Sequence, residues 1–211
     1  MEPSASARAP DTVELGADDR RALLALADAA IRRGLDGLAP PQIDPASAPA
    51  ALRQRAGAFV TVTVDRRLNG CIGAVWPTEE LWAAVPRAAW EAAFDDPRLP
   101  ALRRSDLDAT AIMISVLSDP MPMEVRSRAE LIAVLRPGVD GLVITDGVRR
   151  ATFLPVVWEK VGDPADFLAH LEAKAGMAER SWGAGVRAWR YTAIELGGEQ
   201  ADAADLAMGA G

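Results

Sequence analysis

The chain has 211 residues, of which half are apolar and a quarter are charged, and its formal net charge is −7. This balance is typical of a globular protein, and the negative charge disfavours general nucleic-acid binding, because phosphates are repelled unless basic residues cluster. A single cysteine and a single histidine exclude an intramolecular disulfide framework and a zinc site of the usual Cys/His kind.

The two ends of the chain, residues 1–14 and 197–211, are predicted to be disordered tails. The first has no basic start followed by an apolar stretch, so it does not read as a secretory signal. The second is small, acidic and free of aromatic residues, and lacks the apolar mass that offsets the entropy cost of ordering. No apolar run reaches the roughly 18 residues of a membrane helix. We expect one folded unit over residues 15–196 of a cytoplasmic protein, since a lone cysteine suits a reducing compartment.

The first half of the chain predicts a helix followed by a hairpin. The helix is expected from about Ala17 to Arg33, with Gly34 as its C-terminal stop. After a proline-rich surface segment, the alternating residues Phe59–Asp65 predict a half-buried strand, and Leu68–Val75 predicts its partner.

A second helix is expected after this hairpin. Thr78 is its predicted N-terminal cap, and Pro86 is expected to kink it or to begin a new helix. The helix must end before Asp96-Pro97, because a residue that precedes proline is pushed towards extended conformations. The apolar run Ala111–Leu117 then predicts a buried strand.

The second half of the chain continues the mixture of helices and turns. Ser127 caps a predicted short helix that ends at Leu135, and Asp146-Gly147 predicts a hairpin. A helix is expected over Pro164–Ala175, and Val186–Leu196 predicts one last strand. Strands joined mainly by short turns, with helices at irregular intervals, indicate an α+β fold with antiparallel sheets flanked by helices.

Cys71 is the first candidate for chemistry. It lies between Gly70 and Gly73 in a predicted strand, where glycines indicate a bulge or a close approach of the backbone. A thiol becomes a nucleophile when a nearby base or cation lowers its pKa. The structural alternative is a buried cysteine in a strand whose glycines admit a neighbouring helix, and the residue pattern alone favours that alternative.

A second candidate is the charged cluster of Asp95, Asp96 and Arg98 around a proline. These side chains could hold a substrate or a metal, or they could form a turn braced by an Arg–Asp pair, which the pattern favours. His170 is expected to be an exposed member of a charged helical row. Trp182, between Ser181 and Gly183, is the best candidate for an exposed functional aromatic residue.

Motifs for cofactor binding are missing from the sequence. It contains neither GxGxxG after a strand nor GxxxxGK[ST], and it has no GxSxG nucleophile elbow. We therefore expect neither a bound cofactor nor a metal ion.

Five segments, in order, resemble the AMMECR domain family, whose bacterial and archaeal members are called AmmeMemoRadiSam system protein A. The first, LNGCIG at 68–73, is similar to the family signature LRGCIG. The others are AAFDDPRL at 92–99, ISVLS at 114–118, GLVI at 141–144 with ATFLPVV at 151–157, and FL at 167–168 with KAG at 174–176. Each segment is a weak signal alone, but five in this order, spread over most of the chain, are specific.

The resemblance implies an α+β fold of two unequal lobes, built from discontinuous segments, with a cleft between them. It places the site, by matching positions, at Cys71, Gly70, Gly73, Asp96, Arg98, Ser115 and Lys174. The main departure from the family pattern is Asn69, where the family usually has arginine. If that arginine binds an anion, Arg66 or Arg67 would have to replace it.

The resemblance implies partners rather than a reaction: a Memo-type protein, which resembles extradiol dioxygenases, and a radical-SAM protein. We expect an accessory or adaptor subunit that acts with them. The alternative is an enzyme in which Cys71 is the nucleophile or contacts the substrate, Arg98 clamps an anion and Asp96 orients a group or acts as a base. RNA modification is disfavoured by the acidic chain. The predicted substrate-binding residues are Asn69, Gly70, Gly73, Ser115, Lys174 and Trp182.

Overall fold

The computed structural model describes residues 13–177, 182 and 185–198, so most of both predicted tails lies outside the described residues. The described strands are β1 (Ala58–Val64), β2 (Arg67–Ala74), β3 (Thr110–Leu117), β4 (Met121–Pro122), β5 (Gly141–Thr145), β6 (Arg150–Phe153), β7 (Arg187–Tyr191) and β8 (Ala193–Gly197). The α-helices are α1 (Ala17–Leu35), α2 (Leu81–Phe94), α3 (Arg128–Val134) and α4 (Pro164–Lys174). Short 3-10 turns lie at Pro45–Ser47, Ala50–Arg53, Arg104–Ala109 and Pro155–Glu159.

The strands form two four-stranded antiparallel sheets, which confirms the predicted α+β class. The first sheet has the order β2-β1-β3-β8, and the second has the order β4-β7-β5-β6. The first lobe therefore takes residues 13–117 and 193–198, and the second takes residues 121–191. Each lobe is thus built around one antiparallel sheet.

The first sheet is covered on both faces. Val60 and Val62 of β1 pack with α1 and α2 in one core, whereas Phe59, together with Cys71 and Met113, belongs to a core shared with the second lobe. The prediction of a half-buried β1 was wrong for this reason: the second lobe covers the face that would otherwise meet water. A strand that is buried on both faces thus contributes to two cores, one within the first lobe and one shared with the second lobe.

The chain crosses between the sheets at two neighbouring places. One crossing follows β3 at Ser118, and the other separates β7 from β8 at Thr192. Ser118 N–H donates to the Thr192 carbonyl (2.9 Å), and Thr192 N–H donates to Ser118 Oγ (2.9 Å). The predicted single strand Val186–Leu196 is thus wrong, because its two halves pair with different sheets.

Tertiary packing moves two predicted helix ends. Gly34 lies inside α1, where an added Cβ would sit 2.0 Å from the Phe94 ring, so this glycine allows α1 and α2 to approach. Gly37, with a φ of +74°, follows the helix end instead. Helix α2 is preceded by Glu80 rather than capped by Thr78, because the Glu80 backbone pairs with Arg55.

Helix α2 also continues through its proline without a break. It is one helix from Leu81 to Phe94 that includes the buried Pro86, so the predicted start of a new helix at this residue was wrong. The helix ends before Asp96-Pro97, as predicted. Among the described helices, none has the length and apolar character needed to cross a membrane.

Local capping and turn signals are confirmed. Ser127 Oγ accepts from Glu130 N–H at 3.1 Å, and Asp163 caps α4 by accepting from two backbone N–H groups. The hairpin between β1 and β2 turns at Asp65 and Arg66, both with positive φ, the conformation that a tight two-residue turn requires.

Candidate functional site

Side chains alternate between the two faces of β2, and that of Cys71 points towards the second lobe. Gly70 faces the opposite way, where an added Cβ would lie 1.7 Å from the Ala92 carbonyl oxygen of α2. Only glycine permits this approach of helix to strand. The side chain of Cys71 accordingly lies in the core shared with the second lobe and is 3% exposed.

Asn69 is the extra residue of a β-bulge. Val62 pairs with Gly70 and Thr63 pairs with Leu68, so Asn69 has no cross-strand partner. A bulge re-aims the side chain of the inserted residue. The Nδ2 atom of Asn69 is buried without a hydrogen-bond partner, which costs free energy unless something supplies an acceptor. This is the position at which the family pattern has arginine.

Asp96 ties the loop after α2 to the backbone of β2. Its carboxylate accepts from Cys71 N–H (3.0 Å) and from Arg98 N–H (3.1 Å), Nε (2.8 Å) and Nη2 (2.6 Å). Arg98 Nη2 also donates to the Cys71 carbonyl oxygen at 3.0 Å. The carboxylate is buried, whereas the Arg98 side chain is 35% exposed. The guanidinium therefore lies at the boundary between the buried thiol and solvent.

The pKa values of these groups follow from this geometry. Burial raises the pKa of Asp96, but hydrogen bonds from Arg98 and from the Cys71 backbone outweigh it, so the net pKa lies below its usual value. Burial raises the pKa of the Cys71 thiol, against a hydrogen bond from Thr61 and the charges of Arg98 and Lys174. The thiol is therefore protonated at neutral pH, which makes it a poor nucleophile.

Lys174 reaches the same junction from the last residue of α4. Its Nζ donates to the Thr152 carbonyl oxygen at 3.2 Å and lies 5.1 Å from the centre of the Phe153 ring. Burial is the main cause that lowers the pKa of Lys174 to about 8. The positive charge of Arg98 adds to the decrease, and a Cys71 thiolate would oppose it. Among the ion pairs of the described residues, no carboxylate pairs with this ammonium.

Two buried hydroxyl groups, those of Tyr191 and Thr61, hydrogen-bond to groups next to Lys174 and Cys71. Tyr191 donates to the Phe153 carbonyl at 2.9 Å and shares a 2.7 Å hydrogen bond with Thr152 Oγ1. Thr61 Oγ1 lies 3.2 Å from the Cys71 sulfur. Burial raises the pKa of Tyr191, so its hydroxyl remains a donor at neutral pH. The polar groups around Cys71 and Lys174 are thus held in place from both lobes.

Ser115 belongs to a different polar pair. Its Oγ donates to Glu195 Oε2 at 2.8 Å across the β3–β8 pair. Burial raises the pKa of Glu195, and the charge of Glu159 raises it further. The hydrogen bond from Ser115 lowers this pKa, but the net change is an increase. Glu195 and Glu159 line a separate surface cavity of about 330 Å³.

The predicted site residues therefore divide into two groups. Cys71, Asp96, Arg98 and Lys174 interact directly or electrostatically. The other predicted residues lie outside this group. Gly70 packs on α2, and Gly73 packs on β1. Ser115 pairs with Glu195, and Trp182 is half-buried against the core of the second lobe.

Sequence reasoning did not select Thr61, Thr152 or Tyr191. For Thr61 a signal existed, because it alternates with the buried valines of β1 and so shares the face of Cys71. Thr152 and Tyr191 carry no such signal, since their contacts join residues 39 apart in the chain. No metal site is evident either: the described residues contain no group of three or more His, Cys, Asp or Glu side chains able to hold an ion.

The arrangement favours binding of an anion over thiolate chemistry. A partly buried ammonium without a carboxylate partner is a costly group that a ligand of opposite charge stabilises. The neighbouring guanidinium adds positive potential to the same place. Both cations lie at the junction of the two lobes, in a protein whose net charge is negative.

A family model, related sequences and a solved structure all match most of this chain. The AMMECR1 family model matches residues 24–196. A protein of Methanothermobacter thermautotrophicus is 38% identical over 164 residues, covering 77% of this chain and 85% of the relative. One of Thermofilum pendens is 35% identical over 194 residues, covering 85% and 89%. The crystal structure of an uncharacterized protein from Pyrococcus horikoshii superposes with a TM-score of 0.76 at 30% identity, covering 85% of this chain and 91% of that one.

Proposed function

The chain belongs to the AMMECR1 family, and from this premise we propose that it is an accessory protein that binds a small anion where its two lobes meet. The observation that carries the proposal is Lys174: a partly buried ammonium, beside the guanidinium of Arg98, with no carboxylate partner among the described ion pairs. An anion at this place would offset the desolvation cost of the ammonium.

The state of the thiol supports an accessory function over the alternative of a Cys71 enzyme. Burial keeps the thiol protonated, and the groups around it are a hydroxyl, an ion pair and a lysine. Nucleophilic catalysis by cysteine requires the thiolate, and the described neighbours do not lower the pKa of Cys71 below its usual value.

The proposed partners are the Memo-type and radical-SAM proteins to which the family resemblance points. In this proposal the chain carries the bound anion to one of them, in the cytoplasm. Cys71 is a free thiol, which fits a reducing compartment. Affinity capture of the tagged chain from a host that encodes both proteins should recover at least one of them, and recovery of neither after cross-linking would contradict this part of the proposal.

The anion site is tested by thermal unfolding with sulfate as the probe. Sulfate at constant ionic strength should raise the melting temperature of the native chain and of Lys160→Met by more than that of Lys174→Met, because bound ligand stabilises the folded state. The native chain has only two lysines, so Lys160→Met is a matched control for loss of one positive charge. It also corrects for the general stabilisation that sulfate gives to folded proteins. Equal shifts in all three proteins would contradict the proposed site.

A further inference from the structure

We propose that Lys174 holds its ligand covalently, by condensation of its amine with the aldehyde or ketone carbonyl of a small anionic molecule. This inference rests on the proposed function, because it assigns a chemical class to the anion that the same site binds. The chain would then carry a covalently held carbonyl compound rather than a reversibly bound anion alone.

The position of the Lys174 amine favours this chemistry. One hydrogen bond, to the Thr152 carbonyl, and the ring of Phe153 hold Nζ in place. The remaining N–H groups have no acceptor among the described residues. Tyr191 hydrogen-bonds to the side chain of Thr152 and to the carbonyl of the next residue, Phe153, and so holds the strand that carries the acceptor. A held amine of this kind is oriented for attack without the rotamer freedom that an exposed lysine must lose.

The electrostatic surroundings supply the neutral amine that attack requires. Burial and the charge of Arg98 lower the pKa of Lys174 to about 8, while Cys71 opposes this change. Asp96, the other charged group of the cluster, is engaged by Arg98. An ordinary lysine with a pKa near 10.4 is almost wholly protonated at neutral pH, whereas a lysine with a lowered pKa is suited to Schiff-base formation.

The reaction balances without a further reagent. The Nζ lone pair attacks the carbonyl carbon and a C–N bond forms. The carbonyl oxygen leaves as water, taking two protons that come from the amine, and a C=N bond remains. No oxidant or reductant takes part, and hydrolysis by water reverses the sequence and releases the carbonyl compound. The anionic group of the ligand would meet the positive potential of Arg98, at the solvent boundary of the site.

Reductive trapping tests the inference, with Lys160 as the internal reference. The full chain is incubated with glyoxylate, an anionic aldehyde, and sodium cyanoborohydride at about pH 7.5, and the peptides that contain the two lysines are quantified by mass spectrometry. Lys174 should be modified at least about tenfold faster than the exposed Lys160, because the lowered pKa of Lys174 gives it a substantial neutral fraction at this pH. Lys160→Arg should leave the rate at Lys174 unchanged. Equal rates at both lysines, or faster reaction at Lys160, would overturn the inference.

Sulfate binding separates this inference from the proposed function. If sulfate stabilises the native chain through Lys174 but trapping is not selective, the covalent step is wrong and the anion site stands. If trapping is selective and sulfate has no effect through Lys174, the covalent step stands and general anion binding is wrong. Competition adds a readout in the native chain itself: sulfate should slow trapping at Lys174 and leave Lys160 unaffected.

Discussion

Asp96 is the residue on which the geometry of the candidate site depends most. It accepts hydrogen bonds from the Cys71 backbone and from three N–H groups of Arg98. It holds no ligand itself in our account, so it is a positioning residue. Its loss would release both the loop after α2 and the guanidinium that lies at the solvent boundary.

Asp96→Asn should therefore destabilise the protein by about 3 kcal/mol, near the lower end of the range for breaking a buried ion pair, because Arg98 keeps part of its hydration. Urea denaturation at pH 7 measures this change. The matched control is Asp95→Asn, one residue away and exposed, which should stay within about 0.5 kcal/mol of the native chain. Equal effects of the two substitutions would contradict the assigned hydrogen-bond network.

The same pair of proteins gives a pH dependence with a defined sign. The pKa of Asp96 is lower in the folded chain than in the unfolded one, so its stabilisation is complete above the unfolded value of about 4 and is lost as the pH falls below it. The difference in unfolding free energy between the native chain and Asp96→Asn should consequently narrow as the pH is lowered from about 5 to about 3. A difference that is constant or widens over this interval would show that Asp96 is not held as a carboxylate.

At the scale of single residues, the sequence names part of the site but not its arrangement. The residue pattern already makes Cys71, Asp96 and Arg98 candidates, and only Lys174 enters through the family resemblance alone. Their spacing along the chain carries no information about contacts between them. Their meeting depends on how a strand, a loop and a helix from two lobes are packed. The contribution of Tyr191 comes only from tertiary contacts, which no local pattern encodes.

At the scale of elements, the approach of α2 to β2 places the loop that carries Asp96 beside Cys71. Gly70→Ala should destabilise the protein by about 3 kcal/mol or more, beyond the usual cost of an added methyl group in a packed interior, because the obstructing atom is the backbone oxygen of Ala92 and cannot rotate away. Thermal and urea unfolding measure the loss.

Gly162→Ala is the matched control for this prediction. Nothing lies within 4 Å of the position that its Cβ would take, so the substitution should be neutral or slightly stabilising, because alanine restricts the unfolded chain. If Gly70→Ala were as well tolerated as Gly162→Ala, the close packing of α2 on β2 would be wrong.

Elements with local determinants were predictable, and those set by tertiary contacts were not. Ser127 and Asp163 cap their helices with their own side chains, so the adjacent sequence is sufficient. The break at Thr192 does not disturb the alternating pattern of Val186–Leu196. The residues before it pair in the second sheet, and those after it pair in the first. The local sequence predicts a helix stop at Gly34, because the reason for this glycine, its contact with the Phe94 ring of α2, is tertiary and leaves no local signal.

At the scale of the whole molecule, the two lobes share an interior and should unfold together. Phe59 and Met113 of the first sheet pack in the core of the second lobe, and the crossings at Ser118 and Thr192 are hydrogen-bonded to each other. We predict coincident urea transitions by far-UV circular dichroism and by tryptophan fluorescence, the usual sign of two-state unfolding.

Ser118→Ala tests whether the crossings contribute to this coupling. Loss of the acceptor for Thr192 N–H should lower the stability by about 1 kcal/mol, because a partly buried donor is left unpaired. The two probes should still give one transition. Separate transitions in the native chain, one for each lobe, would contradict the shared core.

The most direct test of the anion site at Lys174 is an NMR titration of the chain labelled with 13C-lysine, in which two lysines give two side-chain signals. In chloride, Lys174 should titrate with a pKa of about 8. Sulfate at the same ionic strength should raise this pKa, since a bound anion favours the charged amine, and should leave the Lys160 signal unchanged. A Lys174 signal that titrates only near pH 10, as a free lysine does, and does not respond to sulfate would contradict the account.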